Sequence, residues 1–102
     1  MAYQKRSISQ LGQFLGTYLG QDWDAEFPDA WSAVQGFVEL EPLDRRIAAR
    51  AELEQVLQSS RTEAELSLAM DRVRMNYHPP GEGFTYREWL EKVERYLREH
   101  EV

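Results

Sequence analysis

Cysteine is absent from this chain, and its absence excludes disulfide scaffolds, thiol catalysis, iron–sulfur clusters and cysteine zinc sites together. Histidine occurs only as His78 and His100. Neither has a ligand-type companion one helical turn away, so no zinc or iron site is expected. No apolar run approaches the roughly 20 residues needed to span a bilayer. The segment that carries Lys5 and Arg6 is interrupted by Ser9, Gln10, Gln13 and Thr17 and does not read as a signal peptide. A mature, soluble, cytoplasmic chain with no cofactor is expected.

What is present suits one globular unit. With 102 residues, 42% hydrophobic and 29% charged, residues 1–102 are expected to form a single domain with a modest core and no large internal cavity. The 18 acidic and 12 basic residues give a formal charge of -6 and a pI near 4.9. That balance opposes binding to nucleic acid or to an anionic membrane and favours a cationic partner.

The apolar periodicity is helical throughout. Ile8, Leu11, Phe14, Leu15, Tyr18 and Leu19 mark a first helix, with Ser7 and Gln10 as its capping box and Gly20 as a left-handed stop. Residues 21–28 read as non-helical. Ala30, Trp31, Val34, Phe37 and Val38 give a second helix, started by Pro28 and Asp29 and ended before Pro42. Ile47, Ala49, Leu53, Val56 and Leu57 give a third, with a less regular stripe. Thr62 and Glu65 cap a fourth, whose stripe is Leu66, Ala69, Met70, Val73 and Tyr77.

Two prolines and two glycines within residues 78–83 break the chain there. Thr85 and Glu88 then cap a last helix faced by Tyr86, Trp89, Leu90, Val93, Tyr96 and Leu97. Its charges pair as Glu88–Lys92, Glu91–Arg95 and Glu94–Arg98 at helical spacing. No alternating strand pattern stands out. The fold class expected is all-α, a compact bundle of about five short helices, with Tyr18, Trp31, Phe37, Trp89 and Leu90 in its core.

Charge is distributed unevenly along this framework. Residues 21–44 contain Asp22, Asp24, Glu26, Asp29, Glu39, Glu41 and Asp44 but no lysine or arginine. The same stretch carries Trp23, Phe27, Trp31 and Phe37. Concentrated negative charge steers a basic partner, and bulky rings supply affinity where they are buried against it. The residues expected to bind a partner are Asp22, Trp23, Asp24, Glu26, Asp29, Glu39 and Glu41, with Trp23 exposed enough to anchor.

Other chemistry finds little support. Asp22, Asp24 and Glu26 alternate as in a calcium loop, but Phe27 and Ala33 stand where the loop needs glycine and glutamate. Gly81 and Gly83 follow no strand and precede no Lys-Ser or Lys-Thr, so they are turn residues rather than a phosphate loop. Carboxylate pairs exist without a nucleophile or paired histidine to make them an active site.

Tyr18 followed by Gln21-Asp22-Trp23-Asp24, then Tyr77 with Pro79 and Gly81, then Thr85-Tyr86-Arg87-Glu88-Trp89-Leu90 together resemble the CdiI immunity proteins of contact-dependent growth inhibition. Leu19 and Gly20 depart from the aromatic and histidine that often follow the tyrosine in that family. The resemblance implies a cytosolic, non-enzymatic antidote that binds the C-terminal toxin domain of a CdiA-type protein, often a nuclease, and blocks its active site or its access to substrate. A monomer is expected. The alternative is a small acidic adaptor or regulatory subunit that docks a partner helix between its own helices.

Overall fold

The computed structural model describes residues 9–101, and over these the protein is all-α, with six α-helices and no strand. The helices are α1 (Gln10–Tyr18), α2 (Trp23–Glu26), α3 (Ala30–Leu40), α4 (Leu43–Ser59), α5 (Glu63–Arg72) and α6 (Tyr86–Glu99), with a 3-10 turn at Pro79–Glu82 between the last two. Helix α4 lies between α1 and α6, α3 packs on α1, and α5 closes against α6 and α4.

Local capping sets most helix starts. Thr62 with Glu65 and Thr85 with Glu88 form complete capping boxes, as the sequence indicates. Asp29 caps α3 by accepting from the Ser32 amide at 2.7 Å. Ser7 and Ile8, assigned above to the first helix, lie outside the described residues, and the α1 cap is Ser9, whose hydroxyl accepts from the Gly12 amide at 2.8 Å.

Two helix starts are also held from a distance. The Glu52 carboxylate of α4 accepts from the Gln10 and Leu11 amides of α1 at 3.2 and 3.0 Å. Glu63 of α5 accepts from the Tyr86 and Arg87 amides of α6 at 2.7 and 3.0 Å. Each carboxylate satisfies amides left without an intrahelical partner and complements the positive end of the helix dipole. At the C-terminal end of α4, the Arg87 guanidinium donates to the Leu57 and Ser60 carbonyls, which the helix itself leaves unpaired.

The core draws on every long helix: Leu11, Phe14 and Leu15; Val34 and Phe37; Ala49 and Leu53; Leu66 and Met70; Trp89, Leu90, Val93 and Leu97 are all buried. Phe14 stacks on Phe37 with ring centres 4.0 Å apart. Tyr18 and Trp31, expected inside, are only half-buried, at the rim of this cluster.

Several local expectations are corrected. Residues 21–28 contain the short helix α2. Gly20 has no positive φ; the left-handed residues here are Asp22 (φ 68°), Arg74 (φ 65°) and Gly83 (φ 92°). Gly20 is needed because a Cβ would lie 2.0 Å from the Gly16 carbonyl oxygen. The fourth helix ends at Arg72, because Arg74 turns the chain, so Tyr77 enters the core from a loop.

Ile47 also leaves the α4 stripe and faces solvent. On α6, Glu94–Arg98 is present at 3.2 Å. The other ion pair along this helix is Arg87–Glu91 at 3.6 Å, because Glu88 is occupied by its cap and the Lys92 ammonium sits 4.4 Å from the centre of the Trp31 ring.

Candidate acidic interface

Helix α1 delivers the chain into the acidic stretch through a closely packed corner. Leu19 is fully buried, and its carbonyl accepts from the Asn76 amide at 2.7 Å, pinning the loop after α5. Asp22 then takes the left-handed conformation that short polar side chains tolerate. The turn leads into α2, whose ring Trp23 lies edge-on to Tyr77 at 5.7 Å. Tyr77 in turn packs on Trp89 at 4.9 Å and donates from its hydroxyl to Glu82 at 2.7 Å. Burial first, and then Glu82, raise the Tyr77 pKa. Trp23 is therefore half-buried, with part of its surface reaching solvent.

Phe27 folds back onto α3 at Gly36, where a Cβ would meet its ring at 3.0 Å. The same ring faces Tyr18 at 6.2 Å. Tyr18 donates to Glu41 at 2.8 Å; burial, followed by Glu41, pushes its pKa up to about 12. These contacts hold α2 against α3.

The seven residues expected to bind a partner divide by role. Asp22, Asp24, Glu26 and Glu39 are exposed and make no ion pair or side-chain hydrogen bond among the described residues. Asp29 is also exposed, but it caps α3, and the Ser32 amide and then the Ser32 side chain hold its carboxyl below the ordinary range. Glu41 is half-buried, bonded to Tyr18 and 3.7 Å from Arg45. Trp23 belongs as much to the Tyr77–Trp89 cluster as to the surface. Exposed carboxylates at positions 22, 24 and 26 thus flank a tryptophan packed on the Tyr77–Trp89 pair.

Sequence reasoning passed over Leu40, which is exposed next to Glu39. Its spacing from Phe37 fits a buried stripe, and it faces solvent because α3 ends there and the chain turns. No three metal-binding side chains gather among the described residues, and no helix there is long and apolar enough to cross a membrane.

No curated protein and no solved structure matches the chain. Comparison with families of known proteins matches residues 7–97 to the family described as CdiI immunity protein. The match spans the acidic stretch at residues 21–44 and the Trp23, Tyr77 and Trp89 rings. The chain therefore belongs to the CdiI immunity protein family, whose role is to neutralise a toxin.

Proposed function

We propose that this protein acts in the cytoplasm by stoichiometric binding, without catalysis, and that its partner is the C-terminal toxin domain of a CdiA-type effector with nuclease activity. A nuclease grips phosphate with a basic surface. Asp22, Asp24, Glu26 and Glu39 would meet that surface in place of the nucleic acid, with Asp29, Glu41 and the open part of Trp23 at the margin. The observation that carries this reading is the set of four exposed carboxylates in a stretch free of lysine and arginine, in a member of an immunity family.

Co-expression with the toxin domain encoded beside this chain tests the reading. Growth rescue and a complex that co-purifies are the expected results, with nucleic-acid cleavage by the toxin suppressed at a one-to-one ratio. Folded proteins that neither associate nor rescue growth would leave the acidic adaptor in front. A complex whose toxin cleaves no nucleic acid would keep immunity and remove the nuclease.

A further inference from the structure

Among the described residues, the large apolar side chains open to solvent are Leu40 (71% exposed), Leu43 (40%), Ile47 (38%) and Leu68 (56%). Three of them fall within eight consecutive positions, at the corner between α3 and α4. Leu43 and Ile47 are one turn apart on α4 and share a face. Leu40 precedes Leu43 by three positions, so their Cα atoms are at most about 11 Å apart. Pro42, between them, is exposed too. Single exposed leucines are ordinary on a protein surface, whereas grouped ones are the kind of surface that interaction sites use.

Acids outnumber bases around this cluster, with Glu39, Glu41 and Asp44 against Arg45 and Arg46. Glu39 and Asp44 are exposed and make no ion pair or side-chain hydrogen bond among the described residues. Both nearby guanidinium groups are engaged within the chain: Arg45 pairs with Glu41 at 3.7 Å, and Arg46 donates to the Glu41 and His100 carbonyls at 3.1 and 2.7 Å. The corner also adjoins the acidic stretch in sequence, since Glu39 belongs to both. An apolar centre with an acidic rim is complementary to an apolar pocket with a basic rim.

We propose that Leu40, Leu43 and Ile47 form the anchoring centre of the toxin interface, seated in an apolar pocket of the toxin ringed by lysine or arginine. The inference rests on the toxin-binding reading above and adds where the affinity lies. The carboxylates govern encounter, and the desolvated leucine cluster governs dissociation.

The test measures association and dissociation rates against the purified toxin domain encoded beside this chain. It uses the native protein, the double variant Leu40→Ser with Leu43→Ser, and Leu68→Ser as a control. Leu68 neighbours Val56 and Ser59, and Ser59 is about 24 Å along α4 from Leu43. The expected result is dissociation at least about tenfold faster for the double variant, with association and melting temperature unchanged and Leu68→Ser behaving as native. If the double variant melts early, Leu40→Ser alone, at the most exposed position, should still speed dissociation several-fold.

Native-like dissociation of these variants overturns the anchor and leaves the immunity reading intact. Equal weakening by Leu68→Ser overturns it as well. A native protein that does not bind the toxin removes both readings. A concentration-dependent dimer abolished by Leu40→Ser would assign the corner to a second copy of this chain instead.

Discussion

The Tyr18 hydroxyl donates to the Glu41 carboxylate at 2.8 Å, joining the end of α1 to the hinge between α3 and α4 across 23 positions. Phe27 lies against the same tyrosine, so one ring supports α2, α3 and the hinge together. This contact ties Glu41 of the acidic stretch to the aromatic packing.

A pH dependence follows from that bond. The folded protein holds the Tyr18 proton more tightly than the unfolded chain does, with a pKa raised from 10.0 to about 12 by burial and by Glu41. The resulting stability is fully present below pH 10 and is lost as pH rises towards 12. Tyr77, raised by burial and Glu82, acts in the same direction. Tyr18→Phe is expected to lower stability at neutral pH by about 1 kcal/mol through the lost hydrogen bond. It should also lose less stability than the native protein above about pH 10. Urea titrations across this range check it, and an unchanged alkaline slope would mean that Tyr18 does not carry the effect.

Close backbone approach gives a second expectation. A Cβ at Gly20 would lie 2.0 Å from the Gly16 carbonyl oxygen, and a Cβ at Gly16 would lie 2.5 Å from the Val73 carbonyl oxygen. Neither obstacle is a flexible side chain, so the backbone itself must shift. Gly20→Ala should destabilise by about 3 kcal/mol or more, while Gly81→Ala, whose nearest neighbour is the His78 ring at 3.5 Å, should be tolerated. Chemical denaturation distinguishes the two.

Features that depend on neighbours in sequence were legible. The Thr62–Glu65 and Thr85–Glu88 boxes and the Asp29 cap are local hydrogen-bonding patterns, so residue type and spacing suffice to place them. The α6 stripe was equally clear because one face of that helix meets the core and the other meets water. The grips of Glu52 on α1 and Glu63 on α6 were not legible, since each joins residues more than 20 positions apart. Gly20 was recognised as special for the wrong reason: its constraint comes from the Gly16 carbonyl, which a propensity for left-handed turns cannot register. In the candidate site, composition identified the acidic stretch, but only the fold separates exposed Asp24 and Glu26 from Glu41, which is bound to Tyr18.

Asp29 allows capping and charge to be tested separately. Its carboxylate accepts from the Ser32 amide, which is a service asparagine performs equally well and alanine does not. Asp29→Asn should keep the melting temperature and slow toxin association slightly, whereas Asp29→Ala should lower the melting temperature. Thermal unfolding followed by circular dichroism, alongside association kinetics, reads both. A loss of stability in Asp29→Asn would mean that the negative charge at the start of α3 matters more than the cap.

Asp24 and Glu26 are the carboxylates whose reversal reports most directly on steering. Both are exposed, so replacing them with lysine removes no packing and should leave thermal stability nearly unchanged. On the proposed reading a basic partner would be drawn to these carboxylates by long-range attraction, which ions screen over about 8 Å at physiological ionic strength. The paired Asp24→Lys and Glu26→Lys variant should therefore associate with the toxin about tenfold more slowly at low salt. Its association rate should also depend less on salt than that of the native protein, while dissociation changes less. Rates measured across a salt series check all three expectations at once. An association rate and salt dependence equal to the native values would place the encounter surface away from α2, whereas faster dissociation alone would make these carboxylates close contacts rather than steering charges.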